Sequence, residues 1–160
     1  MDAPDKDPDL EESGNCADQV EFRFASDPKL LKIVRSAVAH LCELNGFSSQ
    51  QCDQTILAVD EACSNIIKYA YEGKTDRTII IKVRLLSNGI EIVLRDFGKK
   101  ARLSNIQSRD LDDIRPGGLG VHFINSIMDV VSYDNSLKEG NRLTLAKYRV
   151  PEKLEHEKEF

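Results

Sequence analysis

Two β-branched runs joined by a tight-turn signal constrain the fold of this chain more than any other feature. The segments RTIIIKVRLL and IEIVLR flank Ser87-Asn88-Gly89, and a short Asn-Gly link between apolar runs is typical of a β-hairpin. Because the strands of a hairpin pair antiparallel, the centre of the chain predicts an antiparallel sheet.

Further strand-like and helical segments lie on both sides of this hairpin. VEFRF (20–24) alternates apolar and polar residues, and VVSYDN and RLTLAKYRV predict another strand pair. Apolar residues at helical spacing, with start and stop signals, predict helices over 27–46 and 48–71 and a third that opens at Gly117. The order β-α-α-β-β-loop-α-β-β predicts an α+β fold, with a largely antiparallel sheet and the helices on one face.

The two ends of the chain differ from its centre in composition. Residues 1–18 are rich in Asp, Glu and Pro and poor in large apolar groups, which predicts a disordered acidic tail. Residues 151–160 predict a second polar tail. The length of 160 residues suits one domain, and we place that domain at residues 19–150.

Charge and cysteine usage exclude several functions. The net charge of −5, without a basic stripe, argues against direct binding of nucleic acid. No apolar run approaches the roughly 20 residues of a membrane span, and the acidic N-terminus does not resemble a secretory signal, so we expect a cytoplasmic protein. No CxxC pair occurs, and we expect reduced, unreactive thiols at Cys16, Cys42, Cys52 and Cys63.

The second predicted helix carries a carboxylate and a carboxamide four residues apart. Glu61 and Asn65 therefore project from the same helix face. Such a pair can accept a proton and can ligate a hard cation through the amide oxygen. A solvated polar face would contain the same residues, so this motif alone leaves both interpretations open.

The second strand of the hairpin ends in Asp96-Phe97-Gly98. A carboxylate there can accept a hydrogen bond from an exocyclic amine, and a glycine lets a ring approach the backbone; an ordinary strand-ending turn is the alternative. These three residue types also form a magnesium site in eukaryotic-type protein kinases, but the catalytic loop and lysine motif that accompany it there are missing here. The polar stretch 99–116 is long for a simple connection, as lids and binding loops often are.

A glycine-rich segment, Gly117-Gly118-Leu119-Gly120, opens the third predicted helix. The first-turn amides of a helix have no intrahelical acceptor, and the helix dipole favours an anion there. Arg115 adds a cation nearby. The segment matches neither the Walker A loop nor the dinucleotide-binding motif, so phosphate binding and a flexible loop end remain alternatives.

Taken together, the order and spacing of these three motifs resemble the GHKL ATPase superfamily. The segments DEACSNIIKYAY, RDFG and RDLDDIRPGGLGVHFINSIMD are similar to those of anti-sigma-factor serine/threonine kinases of the switch-protein type, and the resemblance covers about residues 20–150. It implies a two-layer α/β sandwich of the Bergerat type with a mixed, mostly antiparallel sheet. It also implies ATP and Mg²⁺ as cofactors.

The resemblance implies a role for each matching residue. Glu61 matches the general base that acts on the acceptor hydroxyl, Asn65 the magnesium ligand, and Asp96 the carboxylate that reads the adenine amino group. Asn141 stands where the family usually has threonine after glycine, and it keeps a side chain able to form hydrogen bonds. The implied nucleotide-binding set is Asn65, Lys68, Asp96, Gly98, Arg115, Gly117, Gly118, Leu119, Gly120, Val121 and Asn141.

The implied activity is ATP-dependent phosphorylation of a STAS-domain anti-anti-sigma protein by a homodimeric anti-sigma factor, which also sequesters a sigma factor. A non-catalytic, nucleotide-gated module that binds a partner through the same fold is the alternative. The detached catalytic domain of a histidine kinase is a third interpretation. It is disfavoured because the sequence contains no helical dimerisation segment with a phosphoacceptor histidine.

Overall fold

Five strands form a single sheet in the structure, a computed structural model that describes residues 18–102 and 118–150. The strands are β1 (Gln19–Ala25), β2 (Thr78–Leu86), β3 (Gly89–Asp96), β4 (Val130–Asp134) and β5 (Asn141–Tyr148). Their order across the sheet is β1-β2-β3-β5-β4, and each of the four pairings is antiparallel. The α+β prediction is confirmed, and within these ranges the sheet is antiparallel throughout rather than mixed.

The predicted hairpin joins β2 to β3. Leu86 pairs with Gly89, so the turn consists of the two residues Ser87 and Asn88. Gly89 itself lies in the strand, where a Cβ atom would stand 2.3 Å from the carbonyl oxygen of Lys147 on β5. The glycine of the turn signal is therefore required by the close approach of the neighbouring strand.

In the described part of the chain, three α-helices pack on one another beside the sheet. They are α1 (Leu31–Leu44), α2 (Ser49–Asn65) and α3 (Gly118–Ile127), and α2 continues into a π-helical turn, Ile66–Ala70. Asp27 accepts a hydrogen bond from the Lys29 amide at 3.0 Å, but it caps a short 3₁₀ turn (Pro28–Leu30). For this reason α1 begins at Leu31, a few residues later than its sequence signal indicated.

Alternate residues of every strand face the helices and form the core. One cross-strand row runs through the whole sheet and consists of Phe22, Ile81, Leu94, Leu143 and Tyr133. The helices complete the same cluster with side chains that include Val38, Leu41, Val59, Cys63, Ile124 and Ile127. The next row along the pleat is Phe24, Ile79, Asp96 and Asn141, so the sheet ends in a polar pair on its helix-facing side.

The buried thiols agree with the sequence interpretation. Cys42, Cys52 and Cys63 are free and buried, and burial raises the pKa of Cys42 to about 12, which keeps this thiol protonated at neutral pH. Cys16 lies outside the described residues.

Residues 1–17 of the first predicted tail and all of the second, 151–160, also lie outside the described residues. Asp18, the last residue that we assigned to the first tail, lies directly before β1, and its carbonyl oxygen accepts a hydrogen bond from the Leu85 amide at 2.8 Å. Of the helices in the described ranges, none has both the length and the apolar character needed to cross a membrane.

Candidate functional site

A buried carboxylate and a buried carboxamide face each other where β3 ends and β5 begins. Asp96 is 3 % exposed and Asn141 7 % exposed, and the Asn141 amide nitrogen donates to the Asp96 carboxylate at 3.1 Å and 3.3 Å. The Gly98 amide donates to the same carboxylate at 3.0 Å. Burial raises the pKa of Asp96, and these hydrogen bonds oppose the rise.

The side chain of Asn141 is engaged at both ends. Its nitrogen also donates to the carbonyl oxygen of Lys99 at 3.0 Å, and its oxygen accepts from the Ala101 amide at 2.7 Å. Asn141 therefore supports Asp96 and fixes the chain that follows it, instead of presenting free donors to a ligand. The Asp96 carboxylate can still accept a further hydrogen bond, because two carboxylate oxygens have about four lone-pair sites.

A left-handed glycine allows β5 to begin this close to Asp96. Gly140 has φ +66°, and a Cβ atom there would lie 2.0 Å from the Asp96 carbonyl oxygen. A side chain at position 140 would thus push the first residue of β5, Asn141, away from the carboxylate.

The turn after Asp96 is locked to the π-helical turn after α2. The Lys99 amide donates to the carbonyl oxygen of Ala70, and the Phe97 amide donates to the hydroxyl of Tyr71, both at 2.8 Å. A Cβ atom on Gly98 would stand 2.3 Å from the Ala70 carbonyl oxygen. Gly98, which we expected beneath a ligand ring, is therefore required by this contact between two protein segments.

Arg95 contributes to the site from the opposite face of the sheet, and the sequence analysis missed it. It is 4 % exposed, and its guanidinium donates to the carbonyl oxygens of Asp96 and, at 3.3 Å, Asn141. The guanidinium also lies 4.4 Å from the centre of the Phe97 ring, a cation–π contact. A hint was present in the sequence, since a charged residue in a largely apolar strand requires hydrogen-bond partners when it is buried.

The second part of the site is the contact between α2 and the start of α3. Glu61 is half-buried on α2, and a Cβ atom on Gly120 would stand 1.9 Å from Oε1 of Glu61. The carboxylate thus fills the space that a side chain at position 120 would occupy, and it has no hydrogen bond to another described residue. The first turn of α3, whose amides lack intrahelical acceptors, lies directly beside it.

The remaining predicted residues are distributed around these contacts. Asn65 is the half-buried last residue of α2, and Lys68 is exposed in the π-helical turn. Gly118 and Leu119 begin α3, and Val121 is half-buried in the same helix. The predicted phosphate contacts Arg115 and Gly117, like most of the predicted loop 99–116, lie outside the described residues.

A divalent cation fits this donor set only if a ligand supplies most of the coordination. In residues 18–102 and 118–150, no three His, Cys, Asp or Glu side chains gather into a metal-binding group. Asn65 offers one hard amide oxygen at the end of α2. Magnesium commonly keeps several waters and takes one or two protein ligands together with substrate phosphates, and a single amide oxygen suits such an ion.

All three sequence motifs meet around α2 and its π-helical extension. Gly120 contacts Glu61 within the helix, and Gly98 contacts Ala70 just after it. An elongated ligand could therefore place an amine-bearing ring against Asp96 and an anionic end at the start of α3, with Glu61 and Asn65 beside it.

The chain is similar to known proteins over most of its length. The family model described as "Histidine kinase-like ATPase domain" matches residues 24–147. Serine-protein kinase RsbW of Bacillus subtilis (strain 168) is 24 % identical over 151 residues, which are 89 % of this chain and 93 % of the relative. RsbW of Bacillus velezensis is 22 % identical over 147 residues, 87 % and 91 % of the two chains. RsbW of Bacillus thuringiensis is 24 % identical over 148 residues, 88 % and 91 % of the two chains.

Proposed function

Because the chain belongs to the histidine kinase-like ATPase domain family, we propose that it binds ATP with Mg²⁺ and phosphorylates a serine or threonine of a partner protein. The relatives named as serine-protein kinases support this proposal, since this chain aligns with more than nine tenths of the length of each relative. Phosphoryl transfer of this type depends on positioning and charge stabilisation rather than on a covalent intermediate.

The contact between Glu61 and Gly120 is the observation that carries the proposal. It brings a carboxylate with no hydrogen bond to another described residue next to a helix start suited to anionic phosphates. A general base must stand within reach of the proton it accepts. Glu61 is therefore assigned to the acceptor hydroxyl, because no hydrogen bond within residues 18–102 and 118–150 occupies its carboxylate.

The other residues divide into purine and phosphate contacts. Asp96 accepts a hydrogen bond from the adenine amino group, with Asn141 and Gly98 holding its carboxylate in place. Asn65 would hold Mg²⁺ through its amide oxygen, and the ion when bound offsets the phosphate charge. Lys68 and the first turn of α3 contact the phosphates.

We assign the partners by the resemblance of the motifs, and the relatives named as serine-protein kinases support a protein substrate. The proposed substrate is a STAS-domain anti-anti-sigma protein, and a sigma factor is the second partner, sequestered by a homodimer of this chain in the cytoplasm. Direct contacts with nucleic acid or a membrane play no part in this proposal.

The test is phosphotransfer from Mg·ATP to a purified STAS-domain partner. We expect an acid-stable phosphoserine or phosphothreonine, and Glu61→Gln should bind ATP normally yet transfer phosphate at least about 100-fold more slowly, as the loss of a general base predicts. Asp53→Asn, which removes an exposed carboxylate from the same helix, is the control and should leave the rate unchanged.

Two outcomes would count against the proposal. ATP binding without any transfer, combined with partner affinity that differs between ATP and ADP, would indicate the non-catalytic binding module instead. Loss of ATP binding in Glu61→Gln would assign Glu61 to structure.

A further inference from the structure

Tyr71 forms a contact that the proposed roles do not use. It is 5 % exposed, its hydroxyl donates to the carbonyl oxygen of Thr78, and the same hydroxyl accepts from the Phe97 amide at 2.8 Å. Burial raises the pKa of Tyr71 to about 12, so the hydroxyl stays protonated at neutral pH. One buried oxygen thus joins the start of β2 to the turn that follows Asp96.

The position of Tyr71 depends on the π-helical turn. The Tyr71 amide donates to the Ile66 carbonyl oxygen at 3.0 Å, five residues earlier, where an α-helix would bond four residues back. Single π turns of this kind occur frequently at functional sites. The turn directly follows the helix segment that contains Glu61 and Asn65, and Tyr71 directly follows the turn.

From these contacts we propose that Tyr71 is a positioning residue that sets the selectivity for adenine over guanine nucleotides. Its hydroxyl fixes the Asp96 turn relative to α2, and thereby fixes how far the purine-reading carboxylate stands from the phosphate-binding end of the site. This inference rests on the proposed function, because it requires Asp96 to face the purine.

The chemistry of the two purines makes the position of Asp96 decisive. At the edge where adenine has an amino group, guanine has a carbonyl oxygen, which a carboxylate repels. A hydrogen bond weakens steeply outside about 2.7–3.2 Å and with poor alignment. A site built around such a hydrogen bond discriminates between ligands through it. If the Asp96 carboxylate shifts with the turn, the site therefore loses its selectivity for adenine before it loses phosphate binding.

Ser26 provides a matched control in the same part of the chain. It is fully buried, its hydroxyl donates to the Lys74 carbonyl oxygen at 2.6 Å, and it accepts from the Arg77 amide at 3.1 Å. Ser26 and Tyr71 thus each bridge two main-chain groups through one buried hydroxyl, and each binds at or next to the start of β2. Only the Tyr71 hydroxyl reaches the Asp96 turn.

The experiment compares dissociation constants for Mg·ATP and Mg·GTP in wild type, Tyr71→Phe and Ser26→Ala, with melting temperatures measured in parallel. We expect the affinity ratio of ATP to GTP to fall about tenfold in Tyr71→Phe, the scale of one lost hydrogen bond to a charged group, with affinity for inorganic triphosphate retained. Ser26→Ala should melt at a lower temperature and keep the wild-type ratio.

The outcomes separate this inference from the proposed function. If Tyr71→Phe keeps the wild-type preference for ATP, the role of Tyr71 is overturned and the proposed function is not. The same holds if the affinity ratio of ATP to GTP falls equally in Ser26→Ala. A wild-type chain without adenine preference would overturn both proposals.

Hydrogen exchange on the unmodified chain gives a second test that needs no variant to fold. ATP should slow exchange of the Phe97 amide more than GTP does, because an adenine held by Asp96 holds the turn against Tyr71. Equal protection by the two nucleotides would contradict the inference.

Discussion

Replacing Gly120 with alanine tests how the start of α3 is coupled to Glu61. The added methyl group would stand 1.9 Å from Oε1 of Glu61, whereas ordinary contacts begin at 3.4 Å. The carboxylate must therefore move by about 1.5 Å or the helix must shift. Glu61 is half-buried and its side chain is flexible, so rotating this side chain costs less free energy than shifting the helix.

The expected stability change is small and the expected kinetic change is large. Alanine in a helix is favoured over glycine by about 0.5–1 kcal/mol, which offsets much of the cost of moving a flexible side chain. We expect the free energy of unfolding of Gly120→Ala to stay within about 1 kcal/mol of wild type. A catalytic group displaced by about 1 Å can cost a factor of about 100 in rate, and we expect a loss of that order in phosphotransfer.

A double-mutant cycle separates this contact from direct phosphate binding by Gly120. Urea unfolding, phosphotransfer and ATP affinity are measured for Gly120→Ala, Glu61→Ala and the double variant. With the carboxylate removed, Gly120→Ala should become stabilising by about 0.5–1 kcal/mol. A wild-type rate of phosphotransfer in Gly120→Ala, or equal destabilisation by this substitution in both backgrounds, would refute the coupling between α3 and Glu61.

Two further predictions concern buried charged residues, one in the site and one at the far end of α3. Burial raises the pKa of Asp96, so its carboxylate takes up a proton at a higher pH than an ordinary aspartate does. ATP affinity, measured by calorimetry, should therefore fall as the pH drops through that pKa. Asp96→Asn should bind ATP at least about tenfold more weakly without that pH dependence, and a persisting dependence would point to another group. Lys147 is 8 % exposed and donates to the Ile127 carbonyl oxygen at 2.5 Å, at the end of α3. In urea titrations, Lys147→Met should lower the free energy of unfolding by about 1–3 kcal/mol, because the carbonyl oxygen loses its donor. Unchanged stability would mean that the cost of burying the ammonium group cancels the gain from its hydrogen bond.

The elements of the fold could be predicted from the sequence because each depends on a local pattern. The β-branched runs around Ser87-Asn88 specify a hairpin through pairing and turn geometry alone. Apolar spacing likewise specified α2, and with it the shared face of Glu61 and Asn65. Local signals were less reliable at element boundaries, where Asp27 caps a 3₁₀ turn before α1.

The contacts that shape the site could not be predicted, because they join residues far apart in the sequence. From the sequence we predicted that Gly98 lets a ligand ring approach the backbone. The structure shows that the π-helical turn at Ala70 occupies the space beside this glycine. That π turn has no sequence signature of its own and is held by hydrogen bonds to the Asp96 turn. Arg95 acts through main-chain carbonyls on the far face of the sheet, which side-chain patterns do not reveal.

A structure determined with Mg²⁺ and a non-hydrolysable ATP analogue tests the proposed site most directly. We predict the adenine amino nitrogen within about 3.2 Å of the Asp96 carboxylate, the metal on the Asn65 amide oxygen and the phosphates at the first turn of α3. An analogue bound elsewhere, or no binding at millimolar concentration, would contradict the proposal that these segments form one nucleotide site.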